Sequence, residues 1–270
     1  MVPLSILEGV VLGLYAIRFD VSFTPREVID VPGFSVKFLK SLFISYDSEG
    51  LIKSLLLSGG ANKPVQLSPI MLGDRAILST GNVKLRVGTN YWFRLGFVGD
   101  ESKVSYISDL INDVVERFAE LLSIDVVTTS LEVFSGAPKE FTIKVLTPAI
   151  IKAKDSTLVR YPTLKELISS PLRVLGRVLW ERYTINIPTT WAWRINAYYI
   201  MTESQSRSSK VDLGDGRVVE GVTGVWSFKK IHKMPKYLES VLSKALAVAE
   251  SVGIGKSRAI GFGVTSISHK

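Results

Sequence analysis

Twice along this chain the apolar residues change spacing in the same order, from every second residue to every third or fourth and back again. In the first half Ile17, Phe19, Val21 and Phe23 alternate with Arg18, Asp20 and Ser22, which predicts a half-buried strand over about 12–23. Residues 34–45 then take helical spacing, with Val36, Leu39 and Phe43 on one face and Lys37, Lys40 and Ser41 on the other. Gly59-Gly60 breaks the chain, and strands are expected near 64–72, 76–87 and 91–98. Over 104–122, Ile107, Leu110, Ile111, Val114, Phe118, Leu121 and Leu122 form one helical stripe, and the β-rich run 124–133 closes the half.

Ser135-Gly136-Ala137-Pro138 reads as a boundary. Beyond it come an alternating strand (Phe141, Ile143, Val145), a helical stretch over 163–182 interrupted by Pro171, and an aromatic, β-prone stretch over 184–200. A hairpin-type turn at Leu213-Gly214-Asp215-Gly216-Arg217, a strand over 218–228, a helix over 237–251 and a last strand near 259–267 complete it. The halves share this order without shared sequence. The expected fold is therefore α+β, with two tandem ferredoxin-like (RRM-like) domains, 1–135 and 139–270.

At 46% hydrophobic and 21% charged residues, each half can bury a core, and general disorder is excluded. The chain has no cysteine, which excludes disulfides, zinc–thiolate sites, iron–sulfur clusters and a thiol nucleophile. With two histidines, His232 and His269, a multi-histidine metal centre is not expected. The net charge of +8 points to an anionic partner. Residues 2–17 are apolar but carry Glu8 and no early Lys or Arg, and they run into an alternating strand. No signal peptide or spanning helix is expected, and a soluble, cytoplasmic protein without membrane partners is.

The sharpest motif lies near the C-terminus, where residues 253–263 read Gly-Ile-Gly-Lys-Ser-Arg-Ala-Ile-Gly-Phe-Gly. Two glycine–apolar–glycine triplets flank five residues, after a helix and before a strand. Glycine allows close backbone approach and exposed N–H groups, and Lys256, Ser257 and Arg258 add charge and a hydroxyl. Neither a Walker loop nor a dinucleotide fingerprint has this context. Read plainly, the segment is a turn that packs a helix on a sheet.

The motif, with the Gly221-Val222-Thr223-Gly224-Val225-Trp226 strand before the last helix, resembles the signature of the CRISPR repeat-associated (RAMP) superfamily. Its nearest branch is the family of endoribonucleases that process CRISPR precursor RNA. The resemblance implies tandem ferredoxin-like domains and one cut within each CRISPR repeat RNA. It implies metal-independent chemistry: the ribose 2′-OH attacks the adjacent phosphate, leaving a 2′,3′-cyclic phosphate and a 5′-OH, with no cofactor. Crenarchaeal-like members often act as dimers, so a homodimer is the expected assembly, and a CRISPR effector complex is another setting.

Many members carry a histidine as base in or just after the first helix, and this chain has none before residue 232. Lysines do the work, another group substitutes, or the protein binds RNA without cutting, as an inactive subunit of an effector complex would. Lys37 and Lys40, one turn apart, and Lys63, before the next strand, are the catalytic candidates. A lysine amid other cations has a lowered pKa and can serve as base or acid, whereas a solvated helix face is the plain alternative. Arg217, Gly253, Gly255, Lys256, Ser257, Arg258, Gly261 and Gly263 are the RNA-binding candidates. His232 lies among Lys229, Lys230, Lys233 and Lys236, which read as a phosphate-binding surface. Tyr46 is a weaker site candidate, and Trp191 and Trp193 read as core or dimer contacts on one face of a strand.

Overall fold

The computed structural model of the chain describes residues 13–31, 34–58, 63–78, 81–133, 136–153, 157–179, 187–213 and 216–269. The Gly59-Gly60 break, Ser135 and the Gly214-Asp215 pair lie outside them.

The first half contains β1 (Leu14–Pro25), β2 (Ile29–Val31), α1 (Ser35–Tyr46), α2 (Leu51–Leu57), β3 (Val65–Leu67), β4 (Met71–Leu72), β5 (Arg75–Ala76), β6 (Val83–Leu85), β7 (Tyr91–Asp100), α3 (Val104–Glu116) and β8 (Ala119–Ser130). Its main sheet runs β5-β4-β7-β1-β8, with β3 also on β7, and every pairing is antiparallel. The second half contains β9 (Glu140–Ala149), α4 (Leu164–Leu179), α5 (Ile187–Asn196), β10 (Tyr199–Asp212), β11 (Val218–Lys230), α6 (Lys236–Val252) and β12 (Thr265–His269), with sheet order β10-β11-β9-β12. In both halves the first and third major strands are central, and the fourth lies outside the first. That is the order of a ferredoxin-like unit, so the fold is two of them in tandem.

The alternation of β1 sets both of its faces. Ile17, Phe19, Val21 and Phe23 are fully buried in one core with Val36, Leu39 and Phe43 of α1 and Ile107, Ile111 and Val114 of α3. Leu14 and Ala16 instead join the core of the second half. Helix α6 accounts for this: it packs on β1 and β7 as well as on β12, and its buried Leu238, Leu242, Ala245, Val248 and Val252 belong to a core that also takes in Leu14, Ala16 and Val98 of the first half.

Polar residues of the same face complete the junction. Arg94 on β7 donates to Asp20 on β1 through Nε (2.6 Å) and Nη2 (3.1 Å), and through Nη1 to the carbonyl of Thr265 (2.5 Å). Arg18 reaches Glu250 on α6 at 2.7 Å. A polar cleft of about 270 Å³, lined in part by Asp20, Ser22, Trp92, Arg94 and Lys144, opens beside the Asp20–Arg94 pair.

Several expectations change. The strands expected near 64–72 and 76–87 are the short pieces β3, β4, β5 and β6, and α2 is an unpredicted helix. The helix predicted over 104–122 ends at Glu116, because residues from Ala119 on pair with β1, starting opposite Pro25. Phe118 turns between them and packs edge-on against Phe23 and Phe38. Helix α4 passes through Pro171: one missing N–H is offset by the burial of Leu167, Ile168, Leu172 and Leu175. The stretch read as β-prone over 184–200 holds α5, whose Ala192 and Ile195 are buried three residues apart. The strand predicted near 259–267 begins only at Thr265, since Gly261 and Gly263 take φ of 92° and 69°.

Candidate active site

Helix α1 buries Val36, Leu39 and Phe43, and this amphipathic spacing leaves Lys37 exposed and Lys40 half-buried. Lys37 Nζ donates to the carbonyl of Leu213 at 2.8 Å. That carbonyl belongs to the β10–β11 connection, where Leu213 N–H also bonds the Arg217 carbonyl at 2.8 Å. Val211 and Leu213 are buried in the core of the first half, so the end of this hairpin docks on α1. Arg217 is exposed beside that docked end.

Lys63 precedes β3 and is half-buried. Its Nζ donates to the Leu56 carbonyl, in the last turn of α2, at 2.8 Å. Burial first, and then the charges of Lys40 and Arg177, hold its ammonium below the ordinary lysine range. The charges of Lys40 on α1 and of Arg177 on α4 thus act on Lys63, and Arg177 is a residue that sequence reasoning missed. Arg173, one turn earlier on α4, acts electrostatically on Arg258 and extends the cluster. The Arg-x-x-x-Arg spacing was visible, but only the topology shows that this part of α4 meets the seam.

The glycine-rich segment is tied to the entry of β3 through Arg258 and to α4 through Gly255. Gly255 N–H donates to Ser170 Oγ of α4 at 2.6 Å, and Lys256 N–H to the Ile150 carbonyl at 3.0 Å. The four motif glycines, Gly253, Gly255, Gly261 and Gly263, are buried, whereas Lys256 and Ser257 are exposed. A Cβ on Gly255 would stand 2.9 Å from the Ile150 carbonyl oxygen, and one on Gly261 would stand 2.5 Å from Val36 Cγ2. These glycines make room for the protein's own backbone and for α1.

Arg258 does not face solvent. It is 3% exposed, with Nη1 on the Gly255 carbonyl (2.7 Å) and Nη2 on the Lys63 carbonyl (3.0 Å). Burial, and then Arg173, pull its pKa down to about 10, which still leaves it charged at neutrality.

The remaining sequence candidates lie elsewhere. His232 is exposed just past the end of β11, whose 13 residues place it about 40 Å from Arg217. Lys229 and Lys230 beside it are paired with Glu140 and Glu239. His269 ends β12, opposite Phe141. Tyr46 is at the far end of α1, under the guanidinium of Arg117. Trp191 and Trp193 do not share a strand face: Trp191 packs on the second core, and Trp193 is 58% exposed with Lys165 Nζ 3.8 Å from its ring centroid. Among the described residues no group of three or more His, Asp or Glu could hold a metal ion, and no helix is long and apolar enough to cross a membrane.

The arrangement is a cationic seam with a lysine of lowered pKa, suited to charge on a phosphate and to proton transfer beside it. Residues 15–133 match the family model described as the Cas6 N-terminal domain, and residues 143–265 that described as CRISPR-associated endoribonuclease Cas6. Among solved structures, a Cas6 product complex superposes with a TM-score of 0.65 at 14% identity, over 94% of this chain and 100% of that one. Thermus thermophilus Cas6 gives 0.62 at 15% identity, over 95% and 100%. A Cas6-related protein from Pyrococcus furiosus gives 0.55 at 14%, over 94% and 98%. No curated protein sequence matches significantly. With both of its halves matched by Cas6 family models, the chain belongs to the Cas6 family of CRISPR-associated endoribonucleases.

Proposed function

We propose that the protein cuts CRISPR repeat RNA in precursor transcripts by metal-independent transesterification at the seam of its two halves. The observation that carries this reading is the placement of Lys63, half-buried at the entry to β3, with its Nζ on the Leu56 carbonyl and its own carbonyl bonded by Arg258 of the glycine-rich loop. Burial and the charges of Lys40 and Arg177 lower its pKa there. Neutral Lys63 takes the proton of the ribose 2′-OH as its oxygen attacks phosphorus. The P–O5′ bond breaks, the departing 5′-oxygen takes a proton from an ammonium of the same cluster, and a 2′,3′-cyclic phosphate and a 5′-OH result. Lys37, Lys40 and Arg177 stabilise charge on the phosphorane-like transition state. Arg217, Lys256 and Ser257, exposed around the cluster, hold the RNA backbone, and the motif glycines shape the loop that carries two of them.

Incubating the purified protein with a 3′-labelled repeat RNA in EDTA tests this, alongside substrates carrying one 2′-deoxy substitution each. Cleavage at one site, abolished by one 2′-deoxy, is the expected result. The second reading, a non-cutting RNA-binding subunit of an effector complex, is favoured by one observation: neither His232 nor His269 is on α1 or at the seam. Tight binding with every substrate intact would establish it. Sedimentation of the RNA complex tests the homodimer.

A further inference from the structure

We propose that Arg258, which the sequence placed among RNA contacts, is a positioning residue that fixes Lys63 from across the seam. This rests on Lys63 as the reacting amine. Arg258 and Lys63 are 195 residues apart, and the guanidinium joins them by a single bond to a backbone carbonyl. Its other Nη holds the Gly255 carbonyl, so one rigid fork ties the loop of the second half to the segment that enters β3 in the first. A second tie runs parallel to it: buried Gln66 donates through Nε2 to the Phe262 carbonyl at 3.1 Å. With the main chain of Lys63 held by Arg258 and its Nζ held by Leu56, the amine has little freedom relative to Lys40 on α1.

The burial of Arg258 supports a positional role. A phosphate contact has to present its guanidinium to solvent, whereas here both Nη groups are engaged by the protein, and Nε is buried without a partner. Leaving a buried donor unpaired is unfavourable, and a planar two-pronged cation spanning two carbonyls is what the fold gains for it. Ser257, at φ 61°, and the short 3-10 turn Arg258–Ile260 point the side chain inward. Lysine in its place keeps the charge and loses the fork.

The test compares wild type, Arg258→Lys, Arg258→Met and Lys63→Met, each first checked for a cooperative melt. For Arg258→Lys, repeat-RNA affinity should stay within about twofold. The single-turnover rate should fall about 100-fold, the scale of a misplacement near 1 Å. Its pH–rate midpoint should move up, because a released Lys63 returns to water. An NMR titration of the Lys63 side chain in lysine-labelled protein reads the same shift without RNA or cleavage. If Lys63→Met cuts as wild type does, the catalytic reading fails, and the titration alone decides whether Arg258 positions Lys63. An unmoved titration overturns the proposal. So does an Arg258→Lys or Arg258→Met variant with wild-type rate and weakened, less salt-dependent RNA binding, since that is a phosphate contact.

Discussion

Lys37 Nζ lies 2.8 Å from the carbonyl of Leu213, so the first helix of one half holds the hairpin end of the other. The exposed Arg217 follows this anchor, and its distance from α1 is set by the hairpin. Arg217→Ala should weaken repeat-RNA binding about 10-fold while leaving the single-turnover rate at saturating RNA within a few-fold. For a contact to one phosphate of single-stranded RNA, the slope of log K against log salt should fall by about 0.7. Filter binding across a salt series gives both numbers. An unchanged slope would remove Arg217 from the RNA path.

The cations around Lys63 predict a pH profile. Burial, Lys40 and Arg177 destabilise its ammonium, so the neutral amine appears at lower pH than for an ordinary lysine. Cleavage should therefore rise with pH and level off below the usual lysine range. Lys40→Met removes a like charge, lets Lys63 keep its proton longer and moves the midpoint up. Lys63→Arg puts a group that does not deprotonate in the same place and should lower the rate by about 10²–10⁴. Single-turnover rates from pH 6 to 10 test all three, and a profile indifferent to Lys40→Met would separate the two lysines.

Much of this site was legible in the chain. The spacing of Val36, Leu39 and Phe43 put Lys37 and Lys40 on the polar face of α1, and position alone placed Lys63 ahead of β3. Two things were not legible. Charge and motif alone place Arg258 on the surface, since nothing local says that its fork will find Gly255 and a carbonyl 195 residues away. Similarly, Arg173 and Arg177 are ordinary polar-face residues until α4 is packed against the seam. The error over α5 has a local cause. Tryptophan and threonine raise β propensity over 189–193, and the helical signal rests on only Ala192 and Ile195.

His232 offers the opposite test. Histidine is the usual proton carrier near neutrality, and this one stands among lysines, yet it lies at the end of β11 remote from Arg217. His232→Ala should leave the rate and pH profile of cleavage unchanged. A loss of more than about tenfold would place the reaction at the other end of the second sheet and overturn the Lys63 assignment.

The junction between the halves should be as sensitive as the cluster itself. Arg94 is 5% exposed and grips Asp20 with two bonds and the Thr265 carbonyl with a third. Removing Asp20 leaves a buried guanidinium without its counter-charge, though beside a polar cleft, so Asp20→Ala should cost about 1–3 kcal/mol. Nearby, Gly96 of β7 lies so close under α6 that a Cβ would stand 2.6 Å from the Ser251 carbonyl carbon. Backbone cannot swing aside as a side chain does, so Gly96→Ala must push α6 off the first sheet, at about 1–3 kcal/mol. Because Lys63 belongs to one half and Arg258 to the other, that displacement should lower cleavage beyond the loss of folded protein. The check is the single-turnover rate per folded molecule at 20 °C, with denaturation curves for the same preparation. A destabilised Gly96→Ala protein that cuts at the full rate would show that the site needs less of the junction than the Arg258–Lys63 bond implies.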